Sequence, residues 1–466
     1  MTEISKLKYS EEITTKRALF FSLNTAISSF LYFMASQIQF FAAVVLMIPL
    51  TIISLIYLVY SIVDGINDPL IGYLTDRSKK FTSKYGKRFP WIIIGVIVSP
   101  ISLLLCFMPI SNDIIISAIW LCIIMVVYES FLTLYEINHH ALYPDLCREP
   151  TERRKVALIG GILGGLILIV GAVLIPTFIN ILGGLTVFAY MTTALVVMII
   201  IYILLIPYSI GIRESAEMKE FRSELDIKKK SSSSVKEIVV RIFRDKNWMG
   251  IVMARFSWGL ALACFLFGLN FFVIHNLGLN IGFTAYPLLF LFIVSFICAP
   301  IWAWAAKEFG VRNSYIVGMI LYAMGFFLFI FVNDIIGVIL VFAFLGISFS
   351  ATYGVLFLLL SAEGIDNAAL KSGKREEGSY NSVIRIFTAL SYFFQTVIFT
   401  IVATITGYDP TFGTKNSEFA KFGLKLQMSI IPMIIILIGT FLFIFMYKIT
   451  KEEALKIKEK LIEMDL

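Results

Sequence analysis

The chain has 466 residues, of which 59% are hydrophobic and 15% are charged, and its formal net charge is +7. A soluble domain carries roughly 25% charged residues and no repeated apolar runs of about 20 residues, so this composition excludes a soluble protein and indicates a polytopic protein of the lipid bilayer. Because the basic residues lie in short connections between apolar runs, the positive charge does not indicate nucleic-acid binding. The five cysteines are dispersed without a pairing pattern, as is typical of small buried hydrophobic residues.

Twelve apolar runs predict an all-α membrane protein of twelve transmembrane helices, arranged as two pseudo-symmetric bundles of six. We number these spans 1 to 12 and place them at 18–41, 44–74, 90–109, 114–142, 156–181, 185–208, 247–274, 282–306, 314–332, 335–362, 379–404 and 426–447. The domain prediction is an N-terminal bundle at 1–208, a polar cytoplasmic linker at 209–246, a C-terminal bundle at 247–448 and a cytoplasmic tail at 449–466.

Basic residues alternate between successive connections. DRSKKFTSKYGKR contains six and DLCREPTERRK contains four, whereas the turns around MPISND and NILGG contain none. This alternation predicts a multi-pass protein of the plasma membrane with both termini in the cytoplasm. The segment 405–425 departs from the rule, because we expect it to be a long outer connection although it carries three lysines.

Span 1 carries single polar residues on an otherwise apolar helix, and several later spans do the same. Such residues are candidates to line a solute cavity, with a structural hydrogen bond as the competing interpretation for most of them. The substrate-lining candidates that we select are Asn24, Ser28, Tyr32, Glu129, His140, Tyr353, Asn381 and Arg385.

Two aspartates occur inside span 2, in VDGINDPLIGYLTDRSKK. At about 1.5 Å per residue, Asp68 lies about 12 Å and Asp64 about 18 Å from Asp76 at the cytoplasmic end. The two carboxylates share one helical face, because they are four residues apart. Two anions this close disfavour a doubly charged state, so we expect the pair to hold either a cation or a proton.

Span 4 repeats this pattern in YESFLTLYEINHHALYPD. Glu136 lies at a depth similar to that of the aspartates, about 14 Å from the helix end. Together with Asn67 and Thr133 the three acids would supply an oxygen-rich cation site, where Na⁺ is a candidate ligand and a proton relay is the alternative. The predicted cation-site residues are Asp64, Asn67, Asp68, Thr133 and Glu136.

The competing interpretation is that some of these acids pair with a buried base and only hold helices together. Arg385 in span 11 is the available partner at similar depth. Ser295 and Ala299 stand at the positions of the second half that align with Asp64 and Asp68. Because shared scaffolding would appear in both halves, this asymmetry favours a functional role for the acids.

Charged residues at the cytoplasmic ends of the spans form a further group. They are predicted to close the cytoplasmic face by salt bridges in one transport state, and solvated loop ends are an equally good interpretation. The predicted gate residues are Asp76, Arg77, Glu363, Asp366 and Arg375.

The span 2 segment DGINDPLIGYLTDRSKKFTSKYGKRFPW resembles the signature DxxNDPxxGxxxDRxxxxxGRRRPW of the melibiose-carrier family, the glycoside–pentoside–hexuronide:cation symporters of the major facilitator superfamily. YEINHHALYPDLCREPTERR and SAEGIDNAALKSGKREEGSYNS are similar to two further segments of that family. The resemblance implies alternating access and cation coupling through Asp64, Asp68 and Glu136. The sugar-binding positions differ, because span 1 lacks the family's aspartate and the span 11 lysine falls near Ala389.

These observations predict a symporter, and not an enzyme, that couples Na⁺ or H⁺ to a sugar, a glycoside or a similar polar organic solute. The expected partners are this solute, the coupling cation and the bilayer, with no other cofactor, no nucleic acid and a monomeric state. One alternative is transport of a lipid-like amphiphile of the lysolipid type, which the missing sugar-binding charges allow. The other is a non-transporting sensor or scaffold, for which the linker is short and featureless.

Overall fold

A computed structural model of the chain describes residues 13–77, 85–147, 150–219, 235–373 and 377–463. Within these ranges twelve helices are long and apolar enough to cross a membrane, as predicted. In the first half the helices are Thr15–Phe21 with Asn24–Ala35 and Ile38–Phe40 (span 1), Leu50–Arg77 (span 2), Phe89–Cys106 (span 3), Ile114–Leu146 (span 4), Pro150–Ile181 (span 5) and Val187–Gly211 (span 6).

The second half contains six further spans and two helices outside them. Its spans are Lys246–Phe271 (span 7), Ala285–Phe309 (span 8), Val311–Leu328 (span 9), Ile335–Phe349 with Leu356–Ser372 (span 10), Glu377–Thr406 (span 11), and Glu418–Met428 with Ile430–Met446 (span 12). Within the segment predicted as the linker lies the helix Val235–Arg244, and Lys451–Glu463 is helical within the segment predicted as the tail.

The prediction of a long outer connection at 405–425 is wrong in extent. Helix Glu418–Met428 begins inside that segment, after a short 3₁₀ turn at Pro410–Lys415. Ser417 starts the helix, because its side chain accepts a hydrogen bond from the Ala420 amide. The lysines that made the segment look like a loop are therefore partly helical residues. Lys421 pairs with Glu418 at 2.9 Å.

The contacts divide the chain into two units. The first comprises the described residues of Met1–Phe41, Ile62–Gly171 and Ile181–Ser232, and the second those of Ala42–Ser61, Ala172–Asn180 and Ser233–Leu466. The second unit therefore includes the first part of span 2, where Ser54 Oγ lies 2.9 Å from Thr400 Oγ1 and Ser61 donates to the Ala389 carbonyl at 2.9 Å. The predicted boundaries at 208 and 247 stay a prediction.

Polar caps fix where the apolar helices begin. Asp113 accepts hydrogen bonds from the amides of Ile115 and Ile116 at the start of span 4, and Asp245 does the same at the start of span 7. Such caps satisfy amide groups that have no partner inside the helix. Polar residues in the short connections between the apolar runs therefore determine where these two spans begin.

Span 3 receives its cap from a residue far away in the sequence. Glu214, which is buried and follows span 6, accepts hydrogen bonds from the amides of Lys87, Arg88 and Phe89 at 3.1, 2.7 and 3.1 Å. Gly86 precedes these amides and has φ +102°, a backbone conformation that residues other than glycine rarely adopt. A Cβ atom there would lie 2.5 Å from Glu214 Cδ. The start of span 3 thus requires both residues.

Replacing Gly86 by alanine should lower the thermal stability of the purified protein. The strained backbone alone costs about 1–3 kcal/mol, and the added methyl group would also displace the Glu214 carboxylate. The measurement is the melting temperature in detergent, with Gly161→Ala as a matched control, because a Cβ at Gly161 meets nothing within 4 Å. Equal melting temperatures for both variants would contradict the role of Gly86.

Candidate functional site

Span 2 contacts span 4 through a side-chain amide. Asn67, which is buried, donates from Nδ2 to Ser130 Oγ at 3.2 Å, and Ser130 itself donates to the Val126 carbonyl. Asp64 and Asp68 are half-buried on the same helix and four residues apart. Span 2 is therefore held against span 4 by a hydrogen bond that lies next to Asp64 and Asp68 in the sequence.

Glu136 on span 4 is held by span 1. Ser28 Oγ donates to Glu136 Oε1 at 3.0 Å, and Tyr32 OH donates to Glu136 Oε2 at 2.7 Å. The two hydroxyl groups lie one helical turn apart, so each can reach a different carboxylate oxygen. Three residues predicted for two different sites, one for the cation and two for the solute, are thus brought together around one carboxylate.

A buried tyrosine of span 4 makes a further contact with span 1 next to Ser28. Tyr135 is fully buried, and its hydroxyl donates to the Asn24 carbonyl at 3.2 Å and lies 3.4 Å from Ser28 Oγ. Asn24 therefore contributes its backbone carbonyl, and not its side-chain amide, to the contacts between spans 1 and 4. The network fixes the rotation of span 1 against span 4.

Glu129 and Thr133 form a separate contact one turn along span 4. Both side chains are buried, and Thr133 Oγ1 donates to Glu129 Oε1 at 3.3 Å. Thr133 was predicted as a cation ligand beside Glu136, and Glu129 as a residue of the solute cavity. The structure pairs them with each other.

The described residues contain no group of three or more His, Cys, Asp or Glu side chains that is arranged to hold a metal ion. The contacts described for Glu136 are those with Ser28 and Tyr32, and its association with Asp64 and Asp68 stays a prediction. The cation site expected at Asp64, Asn67, Asp68, Thr133 and Glu136 therefore stays a prediction.

The two histidines that follow Glu136 have different environments. His139 is buried, stacks on Phe21 with ring centroids 4.4 Å apart, and lies 2.7 Å from Tyr208 OH through Nδ1. His140, the predicted solute residue, is exposed. His139 therefore packs span 4 against its neighbours, and the role of His140 stays a prediction.

The second unit contains a cationic side chain, Arg255, that was not among the predicted site residues. Arg255 lies nine residues into span 7, and its guanidinium carbon is 4.3 Å from the Trp258 ring centroid, 4.5 Å from that of Phe357 and 5.0 Å from that of Tyr353. The signal was present in the sequence, because an arginine inside a transmembrane helix is a functional candidate by default. Tyr353, by contrast, was a predicted solute residue.

The remaining predicted solute and gate residues are less informative. Asn381 and Arg385 are exposed on span 11. Glu363 accepts a hydrogen bond from Tyr447 OH at 3.0 Å, and Asp366 is half-buried near the end of span 10. Asp76 and Arg77 end the span 2 helix without described side chains, and Arg375 lies outside the described residues. The predicted gate therefore stays a prediction.

A cavity of about 540 Å³ in the second unit contains none of the predicted site residues. It lies beside helix Val235–Arg244, and within it Lys371 Nζ is 3.5 Å from Asp245 Oδ1. Its lining consists of Val240, Arg241, Arg244, Asp245, Ala368, Lys371 and Tyr380.

Comparison with known proteins places this geometry in context. A family model described as MFS/sugar transport protein matches residues 20–451. The sodium-dependent lysophosphatidylcholine symporter 1 of Gallus gallus is 25% identical over 435 residues, which cover 85% of this chain and 79% of that protein. The isoprimeverose transporter of Lactiplantibacillus pentosus is 22% identical over 362 residues, which cover 75% of this chain and 71% of that protein.

Solved structures of similar fold are also transporters. The nucleoside transporter NupG superposes with a TM-score of 0.62 at 12% identity, covering 93% of this chain and 99% of that chain. A fucose:proton symporter of E. coli gives a TM-score of 0.53 at 16% identity, covering 93% of this chain and 98% of that chain. These similarities confirm the predicted major facilitator fold. Because the family model spans nearly the whole chain, the protein belongs to the MFS/sugar transport protein family, the glycoside–pentoside–hexuronide:cation symporters, as a multi-pass secondary transporter and not an enzyme.

Proposed function

We propose that the protein is a cation-coupled symporter for a sugar, a glycoside or a similar polar organic solute, driven by Na⁺ or H⁺. The observation that carries this proposal is the Glu136 carboxylate, which two hydroxyl groups of span 1 hold at 3.0 and 2.7 Å. Glu136 shares span 4 with Ser130, to which span 2 is attached beside Asp64 and Asp68. Spans 1 and 4 are thereby joined through a carboxylate, and spans 2 and 4 through a neutral hydrogen bond that lies beside two further carboxylates.

The coupling follows from how Glu136 is held. As a carboxylate it accepts both hydroxyl hydrogen bonds, and a cation that arrives can use the remaining lone pairs of the same oxygens. Na⁺ favours such oxygen ligands. A proton would instead turn one carboxylate oxygen into a donor and force Ser28 or Tyr32 to change its hydrogen bond. In both cases occupancy of the cation site changes the environment of span 1.

Linkage then makes the solute and the cation cooperative. A solute that binds best to the arrangement favoured by the cation must, in return, raise the affinity for that cation by the same factor. Tyr32, with 47% of its surface accessible, connects cation binding to solute binding. Its hydroxyl donates a hydrogen bond to Glu136 and can still accept one from a solute. We assign Tyr32 and Ser28 to this connection.

A second candidate solute is a lysolipid-like amphiphile. Relatives named sodium-dependent lysophosphatidylcholine symporter 1 cover 85% of this chain at 25% identity, and the isoprimeverose transporter covers 75% at 22%. The chain also lacks the span 1 aspartate of the sugar carriers. Both candidates use the same cation site, so the solute and the coupling are separate questions.

The test is uptake into vesicles that contain the purified protein. Radiolabelled raffinose and isoprimeverose represent the sugars and lysophosphatidylcholine the amphiphile, each with a Na⁺ gradient, an H⁺ gradient or neither. A tenfold ion gradient, worth about 1.4 kcal/mol, should accumulate the accepted solute roughly tenfold in one-to-one symport. Empty vesicles are the control. Uptake that is equal in all three conditions would reject coupling.

A further inference from the structure

Arg255 and its aromatic neighbours form an unusual group inside the second unit. We define the Arg255 cluster as Arg255, Trp258, Tyr322, Tyr353 and Phe357. At about 1.5 Å per residue, Arg255 is about 14 Å from the start of span 7 at Lys246. The rings of Trp258, Tyr353 and Phe357 lie against its guanidinium group.

Three hydrogen-bond donor groups of this cluster lack an acceptor. Arg255 Nη1, Trp258 Nε1 and Tyr322 OH are covered by surrounding atoms and have no hydrogen-bond partner among the described residues. Trp258 links the other two, since its ring faces Arg255 and stacks on that of Tyr322 with centroids 6.5 Å apart. Native proteins pair the great majority of such buried groups, so three donors in one place indicate a missing acceptor.

Within the described parts of the chain no carboxylate forms an ion pair with Arg255. Salt bridges of the second unit involve other cations, such as Lys371 with Asp245 and Lys421 with Glu418. An enclosed cation without a counter-ion destabilises the folded state. The cation–π contacts offset part of the cost of the charge but leave the hydrogen-bond donors unsatisfied. The cluster therefore lacks both a negative charge and acceptor oxygens.

The helix that supplies Tyr353 is interrupted at this point. Span 10 leaves regular α-helix at Ser350–Val355, and Gly354 has φ −90° and ψ −109°, which is not a helical conformation. A Cβ at Gly354 would meet nothing within 4 Å, and Tyr353 is 44% exposed. Interrupted helices with open space beside them are typical of substrate sites in transporters. The backbone of span 10 is thus irregular and open to its surroundings at Gly354, one residue from Tyr353 of the cluster.

We propose that the Arg255 cluster binds the anionic group, a carboxylate or a phosphate, of the transported solute. The planar guanidinium fork matches the oxygens of such a group, and the Trp258 and Tyr322 hydrogens supply additional donors. The flanking rings suit an apolar or ring-shaped part attached to the anion. The solute is therefore an acidic or zwitterionic molecule, either a sugar acid or a lysophospholipid. This assignment rests on the proposed transport function.

The experiment measures binding to the full-length protein in lipid nanodiscs by isothermal titration calorimetry. Each arm compares a charged probe with its neutral counterpart. Methyl β-glucuronide is compared with methyl β-glucoside, and lysophosphatidylcholine with a monoacylglycerol of the same chain length. We expect the charged member of one arm to bind at least tenfold more tightly than its neutral partner. The arm in which this occurs identifies the source of the anion.

Variants then assign the effect to the cluster. Arg255→Gln should weaken binding of the charged probe roughly 10- to 100-fold and leave binding of the neutral probe unchanged. Trp258→Phe retains an aromatic side chain, replaces the indole by a smaller phenyl ring and thereby removes the Nε1–H donor, so it serves if Arg255→Gln does not fold, with an expected loss of roughly 3- to 10-fold. The matched control is Trp304→Phe on span 8, where the tryptophan is 59% exposed.

Two outcomes would overturn the anion site. One is that neither charged probe binds more tightly than its neutral partner, and the other is that Arg255→Gln and Trp258→Phe both bind like the unmodified protein. Failure of the coupled transport function looks different, because uptake would then ignore the ion gradients while binding still depended on Arg255. Loss of charge preference with gradient-driven uptake intact would reject the anion site alone.

Discussion

Asp68→Asn is expected to abolish ion-driven accumulation of the solute in vesicles. The substitution preserves the size of the side chain and removes its charge, so the half-buried pair with Asp64 loses half of its attraction for a cation. Coupling between two ligands is typically worth about 1–3 kcal/mol, or about 5- to 150-fold in affinity. We expect the coupling ion to tighten solute binding by this factor in the unmodified protein and to have no effect in the variant. The measurement is the solute dissociation constant with and without the ion.

Two controls make this result interpretable. Glu217→Gln removes an exposed carboxylate and should leave the ion effect intact, which excludes a general response to net charge. Asp68→Glu retains the charge one methylene further along and should retain part of the ion effect. If Asp68→Asn accumulated solute as the unmodified protein does, the aspartate pair would have no place in coupling.

Glu136→Gln should uncouple the ion from the solute by a different route. Gln keeps one acceptor oxygen and replaces the other by an NH2 donor, so Ser28 and Tyr32 cannot both continue to donate to separate carboxylate oxygens, and the local negative charge is lost. Tyr32→Phe keeps the charge and removes the 2.7 Å bond alone. Because the Tyr32 hydroxyl is also proposed to contact the solute, and a neutral hydrogen bond contributes about 0.5–1.5 kcal/mol, we expect solute affinity to fall about 2- to 12-fold in Tyr32→Phe, with the ion effect retained.

The two variants are to be compared in one assay of solute affinity at several ion concentrations. Ser36→Ala is the matched control on span 1, since this exposed hydroxyl donates to the Phe33 carbonyl of its own helix. If Tyr32→Phe lost the ion effect and Glu136→Gln kept it, the assigned roles would be exchanged. Equal solute affinities of Tyr32→Phe and Ser36→Ala would show that Tyr32 does not contribute to solute binding.

Most of the fold could be predicted because hydrophobic length is a local property. Each span needs about 20 apolar residues, and this requirement is visible without knowledge of the partner helices. The prediction for 405–425 was wrong because it relied on the same local hydrophobicity. Helix Glu418–Met428 carries enough polar residues to look like a loop, and its helical structure depends on the Ser417 cap and on packing that a hydropathy pattern does not contain.

The candidate site was predictable only in part. Residue type and depth identified Asp64, Asp68 and Glu136, since acids inside a membrane require an explanation. Which groups meet which depends on helix rotation and on contacts between distant segments. For this reason Glu136 was assigned to the aspartates, although its described contacts are Ser28 and Tyr32 of span 1. A single sequence does not reveal that rotation.

Arg255 illustrates a different limit. Arg385 was the expected partner of the acids, because its distance from the cytoplasmic end of span 11 places it at a similar depth. Arg385 is exposed, whereas the Arg255 guanidinium is enclosed by Trp258, Tyr353 and Phe357. Those rings come from two spans about 100 residues apart in the chain, and only folding brings them together. The arginine itself could have been flagged by its depth alone.

The interruption of span 10 has a mechanical consequence. Between Phe349 and Leu356 the regular backbone ladder is already broken, so tilting Leu356–Ser372 against Ile335–Phe349 requires no further loss of α-helical hydrogen bonds. Tyr353 sits on this joint and covers Arg255, while Glu363 and Asp366 lie on the segment below it. A molecule bound against Tyr353 would therefore be in a position to change the angle between the two parts of span 10, and with it the position of Glu363 and Asp366.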